Sequence, residues 1–448
     1  GQIGMSGNVL LYTVGISVLA GLVFGVVPAV QAAREGVRGV LAGESRGATG
    51  TASRQRLLRT FVGLEVGVAL VLLVAGGILV RSLLSLGSVD PGWDAEQVLT
   101  MRVTLPPERY SPEEIEAFYP ALLERMEAIP GVARAASATQ FPGRIFMRDR
   151  FAVEGRAVED SDRLPSAFTT LVSQGYFSAL DLAVIQGRVP DPATDSPDDP
   201  PVAVMNESAA RAYFGGENPV GQRIRLGGDG ENAPWITIVG VVADTRNRGL
   251  DQAPAPEFFA SQEQLGGPNQ FFFLIRTEGQ DPMALLPAVR EAVSTLDPEQ
   301  PVYATQSAAD VYADQSAPRR ATAALLGVFA FFALTLAAAG IYGVVSYSVS
   351  ARVREIGVRL ALGADASGVR QMVVRQALIP VVLGAVVGLA VSFATSGFLQ
   401  GMVHGVEAGD VVTRVAVAGM LLAVAAAASW VPALRASRLD PAVTLRED

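Results

Sequence analysis

ATAALLGVFAFFALTLAAAGIYGVVSYSV, residues 321–349, runs from Ala321 to Val349 without one charged side chain. A bilayer's hydrocarbon core is about 30 Å thick and needs roughly 20 apolar helical residues to cross it. This stretch is longer than that, so it predicts a membrane helix with residues to spare. Four more stretches qualify: Val9–Val30, Phe61–Leu84, Gln376–Leu399 and Val411–Val431. The reading is of an α-helical membrane protein with about five transmembrane helices.

The flanks give the orientation. Arg34, Arg38, Arg46, Arg54, Arg56 and Arg59 lie between the first two spans, and Arg352, Arg354, Arg359, Arg370 and Arg375 between the third and fourth. Arg435, Arg438 and Arg446 follow the fifth. Arginine-rich connections stay in the cytoplasm. Alternation then places residues 87–316 on the far side as one large soluble block. That block holds 34 acidic residues and 17 arginines, a net of −17, against +8 for the rest of the chain. A solvated acidic surface accounts for this balance; a cationic substrate or partner is the sharper alternative.

Composition removes several chemistries. Cysteine is absent, which excludes disulfides and thiolate metal sites. All 35 basic residues are arginine, so no P-loop lysine and no Schiff base can form. His404 is the single histidine, too few for a zinc site or a Ser-His-Asp triad. Neither an enzyme active site nor nucleic-acid binding is expected, and no cofactor or metal.

Inside the spans, Gly21/Gly25, Gly63/Gly67 and Gly384/Gly388 are small-xxx-small pairs that permit close helix approach. Chance competes with that reading in so Gly/Ala-rich a chain. Pro380 sits where it could kink the fourth span. Glu65 stands near the cytoplasmic end of the second span, either as an intramembrane functional carboxylate or paired near the interface. Arg81 is placed to reach the outer interface.

In the soluble block, Val98–Leu105 alternates as a strand does. Ser111-Pro112-Glu113-Glu114 then reads as N-cap, first-position proline and capping-box glutamate. Ile115, Phe118, Leu122, Met126 and Ile129 follow at helical spacing, Pro130-Gly131 stops the helix, and Val132–Gln140 is the next strand. Phe271–Arg276, the helix beginning at Asp281-Pro282, and Val302–Ala304 repeat the pattern. Two such units predict a ferredoxin-like α+β fold. Residues 151–262 between them read as mostly β, with a strand at Val202–Met205, a helix at Asn206–Phe214 and a hairpin turn at Gly227–Gly230 before Trp235–Val242. That turn lacks the further carboxylates of a calcium loop.

The cytoplasmic segment after the third span is amphipathic. Val353, Ile356 and Leu360 share one helical face, Arg352, Glu355 and Arg359 another, and Gly363 can end the helix. Amphipathicity fits docking on a partner and lying in the headgroup layer equally well. The wording separates them. REIGVRLALGA (Arg354–Ala364) and VPALRASRLDPAVTL (Val431–Leu445) resemble the signatures of the MacB/FtsX-like ABC transporter permeases. VAVMNESAARAYFGGENPVGQRIRL (Val202–Leu226) and ITIVGVVADTRNRGL (Ile236–Leu250) resemble their periplasmic core domain.

An internal repeat refines this. VPAVQAAREGVRGVL (Val27–Leu41) parallels Val431–Leu445, with Pro28, Ala29, Ala32, Arg34 and Leu41 matching Pro432, Ala433, Ala436, Arg438 and Leu445. That pattern is similar to the duplicated permeases of the ADOP subfamily. The chain, which begins at Gly1, would then be a C-terminal fragment. Residues 1–48 would be the last helix and tail of a preceding half, and 49–86 a linker and the first helix of the second half. Residues 87–316 would be the periplasmic core domain, and 317–448 an FtsX-like domain with three spans and a coupling helix.

The resemblance implies a function. Such permeases sit in the bacterial inner membrane, work with a cytoplasmic ABC ATPase that binds the ATP, and pair with a second copy or duplicated half. A periplasmic adaptor is a further implied partner, with membrane lipid around the spans. ATPase closure moves the periplasmic domain through stalk-like helix extensions, for export of a substrate or, alternatively, for signalling to a periplasmic hydrolase. By position, Arg354, Glu355, Ile356, Gly357, Arg359, Leu362 and Gly363 match the family's ATPase-coupling region.

Overall fold

The computed structural model describes residues 11, 12, 14, 15, 47–156, 164–227, 233–399 and 410–438. The expected span Val9–Val30 lies almost wholly outside them. So do the repeat at Val27–Leu41, the tip of the turn after Gly227, His404, and the end of the Val431–Leu445 motif. In chain order the elements are α1 (Gly47–Leu86), β1 (Val98–Thr104), α2 (Pro112–Glu127), β2 (Val132–Ala138), β3 (Arg148–Val153), β4 (Ser166–Val172), β5 (Val184–Gly187), β6 (Val202–Asn206) and α3 (Glu207–Phe214). There follow β7 (Arg223–Leu226), β8 (Ile236–Val242), β9 (Glu257–Ser261), β10 (Gln270–Thr277), α4 (Leu286–Leu296) and β11 (Tyr303–Ser307). The long helices α5 (Ala308–Ser350), α7 (Ala366–Ala394) and α8 (Val411–Ser437) close the chain, with the short α6 (Val353–Ala361) between α5 and α7. Residues Ile78–Leu325 make one compact unit, and the helical segments on either side of them make another.

In the first unit, β11-β1-β10-β2 form an antiparallel sheet. Two strand–helix–strand units interleaved in that order are the ferredoxin-like arrangement the sequence predicts. The capping box is present as read. The Glu114 N–H donates to Ser111 Oγ at 3.3 Å, and the Ser111 N–H donates to Glu114 Oε2 at 2.8 Å. Alternation decides the layers. Leu99, Met101, Val103, Phe271, Phe273 and Ile275 face α2 and α4, whose Leu122, Met126, Val289 and Val293 cover them. Val98, Ala136, Ala138, Phe272 and Leu274 face the other way, into a second layer with Trp93, Tyr176, Phe259, Val311 and Tyr312. Burial on both faces explains the unbroken Phe271-Phe-Phe-Leu-Ile275 run.

The mostly β segment closes on itself. β4-β3-β7-β8-β6-β9 are neighbours in turn, and β9 pairs back to β4. The β8–β6 and β9–β4 ladders are parallel and the rest antiparallel. This is a six-stranded barrel, a closure that leaves no free edge. Phe151, Met205, Ile224, Ile238 and Phe258 fill it, with Phe151 and Phe258 edge-to-face at 4.8 Å.

Among the described residues, four helices are long and apolar enough to cross a membrane, falling within α1, α5, α7 and α8. They match the second to fifth expected spans. Their large outward residues, such as Phe329, Phe332, Leu383 and Val387, are exposed at 55%, 62%, 63% and 60%, as lipid-facing side chains must be. The glycine pairs of α1 and α7 meet. A methyl group on Gly67 would lie 3.2 Å from the Gly384 carbonyl oxygen, and one on Gly388 would lie 2.7 Å from that of Gly67. One turn away, a methyl group on Gly384 would fall inside the Gly63 carbonyl. Glu65, half-buried, lies against Gly340 of α5. Arg414 of α8 is wholly buried. Its guanidinium donates to Ser392 O at 3.2 Å and Asp410 O at 3.3 Å, and it stacks 4.1 Å from the Phe393 ring.

Candidate functional site

The coupling segment follows directly from α5. α6 turns Ile356, 2% exposed, and Gly357 inward. Ile356 reaches a small cavity of about 30 Å³ lined by Arg59, Val62, Val345, Met372 and Pro380, room for about one water. Arg352, at the N-cap, donates to Gln376 Oε1 of α7 at 3.3 Å. The outward face carries Arg354, Glu355, Val358 and Arg359, and Glu355 pairs with Arg359 at 2.7 Å. Leu362 stands 83% exposed just past the helix end.

Gly363 stops the helix as the sequence suggests. Its φ is +92°, in the region where only glycine is comfortable. Its N–H donates to Leu360 O at 3.0 Å, and the Ala364 N–H donates to Arg359 O at 2.9 Å. This is the paired closure of a Schellman turn. Of the seven residues the sequence singles out, Arg354, Glu355, Arg359 and Leu362 therefore form one accessible surface. Ile356 and Gly357 seat the helix, and Gly363 ends it.

A second constellation went unseen in the sequence. The foot of α5 is tied into the soluble unit. The Trp93 indole N–H donates to the Tyr312 hydroxyl at 3.0 Å, and that hydroxyl donates to Arg246 O at 3.2 Å. Gln315 donates to the Gly143 carbonyl, and Arg319 pairs with Asp251 at 2.5 Å. Behind these contacts lies Glu257, completely buried at the head of β9. Thr170 donates to one carboxylate oxygen at 2.5 Å and Asn247 to the other at 2.8 Å. The Asn247 carbonyl in turn accepts from the Gly143 N–H at 2.8 Å. Burial pushes the Glu257 carboxyl up to about 7, while the Thr170 and Asn247 hydrogen bonds pull the other way. Burial also holds the Tyr312 and Tyr176 hydroxyls well above the usual range. Asn247 lies within one of the stretches that carried the resemblance, and Asn206, which holds the Glu257 N–H at 3.0 Å, lies within another. The sequence around Glu257 carries no local signal of its burial.

Among the described residues no group of histidine and carboxylate side chains could hold a metal ion.

Comparison with known proteins is consistent with these features. The family described as MacB-like periplasmic core domain matches residues 58–296, and the one described as FtsX-like permease C-terminal matches 327–441. A probable export ATP-binding/permease protein of Pseudomonas fluorescens is 26% identical over 289 residues, covering 62% of this chain and 42% of that protein. The macrolide export ATP-binding/permease protein MacB of Burkholderia lata is 28% identical over 257 residues, covering 55% and 36%. The chain thus spans about two fifths of the length of such relatives. The crystal structure of the periplasmic region of MacB from Actinobacillus actinomycetemcomitans aligns at a TM-score of 0.35 and 14% identity, covering 53% of this chain and 98% of that one. The core-domain match takes in more than half of the sequence. With the FtsX-like match behind it, the chain belongs to the MacB/FtsX-like permeases, as a multi-pass membrane protein with a periplasmic α+β domain.

Proposed function

We propose that the chain is the permease part of an export-type ABC transporter in a bacterial inner membrane, driven by a cytoplasmic ATPase formed outside these residues. One observation carries the reading. A single helix, α5, is hydrogen-bonded into the soluble unit at its foot through Tyr312, Gln315 and Arg319. Its other end, through Val345 and Val349, lines the cavity that receives Ile356. With 43 residues at about 1.5 Å each, α5 measures roughly 65 Å, about twice a hydrocarbon core. A push on α6 would act on a helix that is continuous between these two contacts.

In this reading Arg354, Glu355, Arg359 and Leu362 meet the ATPase, while Ile356 and Gly357 convert that contact into movement of α5. The ADOP placement, a paired permease half and a periplasmic adaptor belong to the same proposal, supported by the sequence repeat and by the export relatives.

Affinity capture from native membranes tests it. An ABC ATPase should copurify with the intact chain and be lost on Glu355→Arg, which reverses the charge facing Arg359. Ile356→Ala should keep the ATPase bound but reduce substrate stimulation of its turnover. If no ATPase associates with the unaltered protein, the reading is wrong.

A further inference from the structure

The first turns of α7 and the far end of α8 enclose a groove of about 460 Å³, lined by Arg370, Gln371, Val374, Arg375, Leu378 and Trp430. Its chemistry is graded. Arg370 and Arg375 stand at the start of α7, beside the arginine-rich connection that orients the chain. Val374 and Leu378 continue the wall one and two turns further along the apolar helix α7. Trp430, 52% exposed, forms the opposite side. Indole rings favour the headgroup level of a bilayer.

Among the described residues, neither arginine makes an ion pair. Asp365, five residues before Arg370, accepts from the Ser367 hydroxyl, which is the first cause holding its carboxyl below the usual range; the nearby Arg370 charge adds to it without a direct ion pair. Two guanidinium groups thus face a groove whose floor is hydrocarbon. The apolar wall of Val374, Leu378 and Trp430 suits an acyl chain, and the two arginines suit a headgroup phosphate. Each arginine near an anionic headgroup favours it by about fivefold.

We propose that this groove is a binding site for an anionic phospholipid of the cytoplasmic leaflet, its phosphate between Arg370 and Arg375 and an acyl chain along Val374 and Leu378. The site is separate from the outward face of α6 and does not depend on the coupling role.

The tryptophans make it measurable. The chain has three, and the signal of Trp430 is isolated as the difference between the unaltered protein and Trp430→Phe. The full chain is reconstituted in phosphatidylcholine vesicles containing brominated phosphatidylglycerol or, at equal mole fraction, brominated phosphatidylcholine. The anionic quencher should be enriched beside Trp430, and each of Arg370→Gln and Arg375→Gln should lower that enrichment about fivefold. Replacing both arginines by lysine should retain most of it, which separates lost charge from lost fold. Equal quenching by the two lipids overturns the proposal. So does a preference untouched in the double glutamine variant, including the case where that variant instead loses a bound ATPase.

Discussion

Gly384 of α7 lies directly against the backbone carbonyl of Gly63 in α1, with no room between them for a methyl group. Gly388 and Gly67 repeat the contact one turn on, where a methyl group would come within 2.7 Å of the carbonyl. In hydrocarbon the water-driven hydrophobic effect cannot join helices, so close backbone approach does that work. Gly384→Ala should therefore lower the thermal midpoint of the detergent-solubilised protein, at a cost of about 1–3 kcal/mol from overpacking. Gly343→Ala, where a methyl group meets nothing within 4 Å, should leave it unchanged.

The Trp93–Tyr312 hydrogen bond should report on the foot of α5. Tyr312→Phe removes the acceptor for a buried indole N–H and costs about 1–3 kcal/mol. Its clearer signature is functional: ATPase capture should persist while substrate-stimulated turnover falls. Equal losses of capture and turnover would point to general unfolding instead.

Glu257 predicts a pH dependence with a definite sign. Its carboxyl ordinarily titrates near 4.5 and is pushed up to about 7 in the folded chain. Between those values the folded state holds a proton that the unfolded state has released. The contribution of Glu257 to stability is therefore fullest below about pH 4.5, declines as pH rises toward 7, and is lost above it. The shift corresponds to roughly 3 kcal/mol. Urea midpoints followed by tryptophan emission should be less dependent on pH between 4.5 and 7 in Glu257→Gln than in the unaltered protein.

Arg414 joins α8 to α7 through a planar fork on Ser392 and Asp410, stacked on Phe393. Arg414→Lys keeps the charge and loses both the fork and the stacking. A loss of about 1–3 kcal/mol is expected, read as a lower aggregation temperature in detergent. A midpoint equal to that of the unaltered protein would assign Arg414 no structural role.

What could be read from the sequence depended on how far apart the cooperating residues lie. The capping box at Ser111 and Glu114, the Gly363 stop and the α6 faces are settled within a few positions, and the sequence shows them. The ferredoxin-like units were legible because each is a contiguous strand–helix–strand. The barrel was not, because its closure depends on β4 pairing with β9 and β6 with β8, with long stretches of chain between partners and no local mark of pairing. Burial of Ile356 and Gly357 likewise depends on α1, α5 and α7 converging on one cavity. Glu257 was invisible for the same reason: Thr170 and Asn247 reach it from separate segments, and nothing in Pro-Glu-Phe-Phe announces a buried carboxyl.

The closed barrel has a consequence for how the soluble unit yields. A ring of strands has no end strand to peel, so its backbone amides should exchange with deuterium late and as a block. β11 is different. It pairs on one side only, its ladder with β1 shifts register between Thr100 and Arg102, and Ala304 sits at φ +48° beside that irregularity. It also runs straight into α5. In the proposed transmission, tension along the helix would meet this irregular edge first along the chain. Deuterium should enter β11 ahead of the barrel strands, and the barrel can stay whole while its neighbour gives way.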